Sequence, residues 1–399
     1  MKRRDFIIKG GLTSTAIVSS TSVVANIIGK KPTHDTVNIG IIGTGDRGGG
    51  LTPIINQIDN FNVTACCDVL PFRLESGLKK AGAMAKGYTD YRYLLDDKTV
   101  DAVLIATPFN THSKIAIDAI DAGKHIYCEK TLAKGYLGIK QLVDKASSTK
   151  KIIQTGHQYH SSRLYTHVVD LIKQGKVGKI TAFECQWNRN GNWRRPVPSP
   201  ELEKVTNWRM YRVFSGGLVA ELCSHQIDFV NWVLAATPNK VMGMGGIDYW
   251  KDGRETYDNV HLIYSYPNGV KASFTCLTSN AKDDYQIKIK GDKGTIILNH
   301  LKAWFYPENR IEKEFKDVDG VSGATSNWTE GKGYTIEMNH TEPSKQALID
   351  FKNCIINNKK PSSNIVTGAK AAICVQMGLD AMYSDKIVKW NNEISFDEK

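Results

Sequence analysis

The chain has 399 residues, 41% hydrophobic and 23% charged, with 34 glycines that follow no collagen period. That is ordinary globular composition and length enough for two domains, and it excludes a mostly disordered chain. The net charge of +11 raises nucleic acid as a partner, but the basic residues are scattered rather than gathered into a stripe, so a basic surface and no nucleic-acid partner are expected.

The first nine residues carry Lys2, Arg3, Arg4 and Lys9 against Asp5. The Arg3-Arg4 pair, followed by Phe6 and a short apolar stretch, reads as a twin-arginine export signal. A mild apolar region follows over 10–25, and Val23-Val24-Ala25 offers small residues for cleavage after Ala25. Residues 1–25 are therefore expected to be a signal peptide and the mature protein to be periplasmic or otherwise exported. The region is too short and too polar to span a bilayer comfortably, and no later stretch has 18 uninterrupted apolar residues, so no stable membrane insertion is expected once it is removed.

From residue 37 short apolar runs alternate with helical stretches. Strands are predicted at 37–42, 63–68, 103–106, 125–128 and 152–155, with helices at 51–58, 91–96, 115–122 and 135–148. This β-α-β rhythm demands a doubly wound parallel sheet. Past Gly156 the rhythm changes. A helix at 161–174 leads to a strand at 179–187, a Trp/Arg/Pro-rich loop over 188–212 and a helix at 222–234. Alternating patterns then predict strands at 241–249, 260–266, 270–278, 285–290 and 294–298, with Asn268-Gly269 as a hairpin turn. Helices at 343–357 and 367–384 close the chain. The eight cysteines lie mostly inside apolar runs without zinc spacing, so buried free thiols and no metal are expected.

Gly43-Thr44-Gly45-Asp46-Arg47-Gly48 is G-x-G-x-x-G, placed after an apolar strand and at the opening of a helix, which is the context a dinucleotide site needs. The first glycine makes the turn, the second lets backbone approach a pyrophosphate, and the third lets helix and strand pack. Asp68, 20 residues after Gly48, would accept hydrogen bonds from ribose hydroxyls and repel a 2′-phosphate, which favours NAD; Arg73 nearby keeps NADP as the lesser alternative. Thr107, Pro108, Asn110 and His112 follow the third strand, where strand ends line the ligand crevice. Gln158 or His157, where the first sheet hands over to the second region, is expected to contact cofactor or sugar.

Gly43 to Gly48, Asp68, Ala106-Thr107-Pro108 with His112, and Glu129-Lys130 after a strand together resemble the Gfo/Idh/MocA oxidoreductases, the relatives of glucose–fructose oxidoreductase and inositol dehydrogenase, over about residues 36–390. The resemblance implies an α/β protein: a Rossmann domain over 36–155, then a substrate and oligomerisation domain over 156–399, built on a large, mainly antiparallel open sheet with C-terminal helices packing back. It also implies homo-oligomers, dimer or tetramer. Family members carry Glu-Lys-Pro where this chain has Glu129-Lys130-Thr131. Lys130 is retained, and a lysine near nicotinamide can stabilise a developing alkoxide. A second block, Gly216 to Asp228, matches the family's D-x-G-x-H-x-x-D at His225 and Asp228, with Glu221 replacing the first Asp. Glu221, His225 and Asp228 would share one helix face. His225 is then the base and a carboxylate its orienting group. Tyr159, Trp187, Asn188, Trp193 and Arg194 are expected to meet a sugar, with the Trp187-to-Arg195 loop as an oligomer contact in the alternative.

The expected function is an exported NAD-dependent oxidation of a ring hydroxyl of a sugar or glycoside. The twin-arginine route carries folded proteins, so the cofactor would be loaded before export, held tightly and recycled. The alternatives are a redox-neutral NAD-dependent glycoside hydrolase and a non-catalytic sugar or cofactor binder.

Overall fold

A computed structural model describes residues 36–308, 333–336, 338, 341–390, 394 and 396; the expected signal peptide lies outside them. The first sheet is wholly parallel. Its strands are β1 (Val37–Ile42), β2 (Phe61–Cys67), β3 (Lys86–Tyr88), β4 (Ala102–Ile105), β5 (His125–Cys128) and β6 (Ile153–Thr155), in the order β3-β2-β1-β4-β5-β6. The connecting helices are α1 (Asp46–Ile55), α2 (Pro71–Ala81), α3 (Tyr91–Asp96), α4 (Phe109–Asp121) and α5 (Tyr136–Ala146). Ala-Val-Leu-Ile in β4 is fully buried, as a strand covered by helices on both faces must be. The order reverses between β1 and β4, and there the crevice opens.

The second region begins with α6 (Arg163–Lys173), β7 (Ile180–Trp187), the short α7 (Glu203–Thr206) and α8 (Ser224–Leu234). Strands β8 (Lys240–Gly246), β9 (Asn259–Ser265), β10 (Lys271–Leu277), β11 (Tyr285–Gly291), β12 (Gly294–Leu298), β13 (Ala303–Pro307) and β14 (Tyr334–Ile336) follow. After α9 (Pro343–Asn357) and α10 (Ile365–Ser384) comes β15 (Val388–Lys389). The nine-stranded sheet has the order β14-β13-β12-β11-β7-β10-β9-β8-β15, and only the β10–β7 pair is parallel. Alternating burial along β9 and β10 marks one packed and one open face. Asn268 and Gly269 both take positive φ in the β9–β10 turn, which the Asn-Gly pair favours.

The C-terminal helices return to the first sheet. Phe351 of α9 packs its ring 6.5 Å from Phe61 of β2 and 5.7 Å from Tyr127 of β5, and Gln154 of β6 donates to the Ala347 carbonyl at 2.8 Å. Helix α10, capped by Asn364, packs on α5, α8 and β8. It is long and apolar enough to cross a membrane by length alone, yet it is largely buried as a core helix. All eight cysteines are free, and all but Cys354 are buried.

Candidate active site

Two adjoining hollows fill the crevice. One, of about 450 Å³, runs along the Gly-rich turn past Asp68, Arg73, Pro108 and Asn110. The other, of about 390 Å³, is lined by Lys130, Gln158, Trp187, Arg189, Arg209, Glu221 and His225 among others; Arg47, Thr107 and Trp193 border both.

The first hollow has the form of a dinucleotide cradle. Gly43 sits at φ +91°, where a Cβ would lie 2.6 Å from the Ala106 carbonyl oxygen. At Gly48 a Cβ would meet the Gly43 carbonyl oxygen at 1.9 Å, so α1 closes on the turn only with glycine there. The amino end of α1 thus faces the hollow with free N–H groups. Asp68, nearly buried, accepts from the Thr44 N–H at 2.9 Å and hydroxyl at 3.3 Å through Oδ2, and from the Leu70 N–H at 2.9 Å through Oδ1. A carboxylate has about four acceptor positions, so Asp68 ties β2 to the turn and keeps acceptor capacity toward the hollow.

His112 differs from its expected cofactor contact. Although its ring borders the second hollow, its two nitrogens lie 2.9 Å from the Thr131 carbonyl and 2.8 Å from the Thr107 carbonyl. It staples the loop after β4 to the loop after β5. Glu129 is likewise committed: Oε1 accepts from Arg47 Nε at 2.7 Å and Oε2 from the Lys130 N–H at 3.2 Å. Arg47 Nη2 is buried without a partner, a cation's spare donor in the cradle.

Lys130 and His225 meet in the second hollow, carried by the loop after β5 and by the start of α8. Lys130 Nζ donates to the Glu221 carbonyl at 2.8 Å and lies 3.5 Å from Glu221 Oε2. Burial lowers the Lys130 pKa, opposed by the Glu221 and Glu129 charges. The Lys130–Thr131 peptide is cis, at the position where family members place a proline. The His225 pKa is driven well below the ordinary 6.5, first by burial and then by the neighbouring Lys130 charge, so the ring is neutral near pH 7. Its Nδ1 is buried with no partner. Glu221 holds its pKa low despite burial because Arg209 and Lys130 face it; Arg209 Nε lies 2.8 Å from Oε1.

Several expected contacts are corrected. Asp228 does not bond His225: its Oδ2 is 2.8 Å from His160 Nε2, and it is not among the residues that line the hollow. Glu221 and His225 both line the second hollow, but Glu221 sits on a π-helical turn, Val219–Cys223, ahead of α8 and not on one regular helix with His225. His157 is buried beside His225, ring centroids 5.8 Å apart, without lining either hollow. Tyr159 stacks on Tyr165 at 4.3 Å and bonds His300 Nδ1 at 2.8 Å instead of facing a ligand. Asn188 donates to the Lys282 carbonyl, and Arg194 is bound into an ion cluster with Asp252 and Glu203. Trp187, Trp193 and Gln158 do line the second hollow. Residues not foreseen there include Trp208 and Arg209; the Arg209 guanidinium stacks 4.3 Å over Trp208, which packs edge-on to Phe109. The Trp/Arg richness of 188–212 was their only signal.

A cofactor cradle joined to a Lys/His cavity at a sheet switch point defines an NAD-binding oxidoreductase. Residues 37–157 match the NAD-binding Rossmann fold, and residues 169–390 the C-terminal alpha/beta domain, of the Gfo/Idh/MocA oxidoreductase family, to which the chain belongs. Myo-inositol 2-dehydrogenase of Thermotoga maritima is 25% identical over 67% of this chain and 76% of its own length. A glycosyl hydrolase family 109 protein of Shewanella pealeana is 28% identical over 53% of this chain and half of its own length. Levoglucosan dehydrogenase in complex with NADH and levoglucosan shares the fold, with a TM-score of 0.71 at 19% identity over 89% of this chain and 99% of that one.

Proposed function

We propose that this protein oxidises a ring hydroxyl of a sugar or polyol with a tightly held, recycled NAD. The observation that carries the reading is the meeting of Lys130 and a neutral His225 beside the Gly-rich cradle. Gly43, Gly45, the amino end of α1 and Asp68 would hold the dinucleotide, and Arg47 and Thr107 border its inner end. NAD, when bound, supplies the hydride acceptor. His225 takes the hydroxyl proton on its cavity-facing nitrogen, and Lys130, anchored by Glu221, donates to the oxygen as charge develops on it. Trp187 and Trp193 line the cavity in which the sugar ring would sit. The myo-inositol and levoglucosan dehydrogenases among its relatives support such a substrate.

Export is part of the proposal: Arg3-Arg4 before a short apolar region directs a folded, cofactor-loaded protein out of the cytoplasm. Outside, a dissociated dinucleotide is lost by dilution, so residence must be long, which means a slow off-rate. The test is extended dialysis followed by assay with a sugar panel and no added NAD. Retained bound dinucleotide and a keto product are expected; activity wholly lost and restored by added NAD overturns the tight-binding reading. A redox-neutral glycoside hydrolase is the second reading, favoured by the family 109 relative; aglycone release without keto product identifies it.

A further inference from the structure

Five cations line the catalytic cavity, Arg47, Lys130, Arg189, Arg195 and Arg209, against the carboxylates of Asp46, Glu129 and Glu221. Arg47 pairs with Glu129, Lys130 and Arg209 with Glu221, and Arg195 with Asp46. Arg189 has no acidic partner among the described residues. Its backbone N–H is spent on the Leu277 carbonyl at 2.7 Å, while its guanidinium lies exposed at the rim, 5.2 Å from the Trp187 ring centre and 5.8 Å from that of Trp193. Aromatic faces hold a guanidinium in place without consuming its N–H donors. In the same cavity Lys130 and the neutral His225 offer a donor and an acceptor to hydroxyls.

An oriented cation with free donors beside a wall that can meet hydroxyls suits a ligand with both hydroxyls and a planar anion. A guanidinium fork binds a carboxylate by two parallel hydrogen bonds, which an ammonium cannot copy. We propose that the substrate is a carboxylate-bearing sugar, a uronic acid or its glycoside, whose carboxylate is held by Arg189 while its ring reaches Lys130 and His225. This rests on the oxidoreductase reading above and names its substrate class.

The probes are matched pairs: methyl glucuronide against methyl glucoside, and methyl galacturonide against methyl galactoside. Calorimetric binding to the NAD-loaded protein and keto-product formation are measured separately for wild type, Arg189→Gln and Arg189→Lys. The acidic member of at least one pair is expected to bind about tenfold or more tightly, the range for a hydrogen bond to a charged group. Arg189→Gln should cut the acid-to-neutral ratio by about tenfold to a hundredfold, and Arg189→Lys should restore only part of it. Raising salt from about 0.05 to about 0.5 M should shrink the wild-type ratio. Equal affinity within every pair, no binding of any probe, or a preference untouched in Arg189→Gln overturns the inference. Acid-selective, Arg189-dependent binding without oxidation upholds it and removes the oxidoreductase reading. Oxidation without acid preference does the reverse.

Discussion

In the proposed mechanism His225 and Lys130 carry opposite protonation demands, and burial serves each differently. The base must be neutral, and burial beside the Lys130 and Arg47 cations keeps it so. The lysine must be charged, and Glu221 limits the loss that burial imposes. The signs fix a pH profile. With the His225 pKa well below 6.5, the acid limb of kcat/KM should fall below pH 6.5, since activity is lost only when the ring protonates. With the Lys130 pKa below 10.5, the alkaline limb should come earlier than for a free lysine. An acid limb at or above pH 6.5 removes His225 as the base. Replacing either residue by alanine should lower kcat by about a hundredfold or more, with circular dichroism and bound NAD retained. Lys130 and His225 were legible in the sequence because short motifs carry them. The partners were not. Asp228 meets His160, 68 positions away, and Arg209 meets Glu221 from a short 3-10 turn, Trp208–Met210; no local spacing encodes either contact.

The turn before helix α1 is plainly written in sequence, because glycine tolerance is a local backbone property; the helix itself starts earlier than expected, at Asp46–Ile55 against 51–58. The same locality makes a sharp prediction. In Gly48→Ala the added Cβ would meet the backbone oxygen of Gly43 at 1.9 Å, and neither group can step aside as a flexible side-chain end would. Helix α1 must then shift away from β1. Calorimetry should show NAD binding weakened by tenfold or more, and melting should report a loss of about 1–3 kcal/mol, the range for overpacking. Normal NAD affinity in that variant would remove the cradle assignment. Elements with weaker local signals escaped. Strand β3 is three residues and β15 two, β13 and β14 are short strands at the far end of the sheet, and α2 opens on Pro71 after a turn. The π turn at Val219–Cys223 also has no local sequence signal, although Glu221 within it and His225 after it still line one cavity.

At the scale of the whole molecule, the joined regions bury histidines as neutral side chains, and that sets how the protein meets acid. His112, His157 and His225 are each enclosed, with pKa lowered chiefly by burial; His125, on β5, falls to about 4 for the same first cause, helped by Lys151. In the unfolded chain these rings return to the ordinary 6.5. Below 6.5 the unfolded state therefore binds protons that the native state refuses, so stability must fall as pH falls below 6.5. The buried acids act later: Asp228 and Glu221 have lowered pKa values, so their stabilisation is full above the unfolded values of 3.8 and 4.5 and is lost only below them. The two sets separate on the pH axis. Thermal melts from pH 7 to pH 5 should show Tm dropping steadily, and unfolding at about pH 5.5 should take up at least two protons. A flat Tm across that range would mean that these rings are not held neutral. The neutral His225 on which the proposed proton transfer depends would then be gone as well.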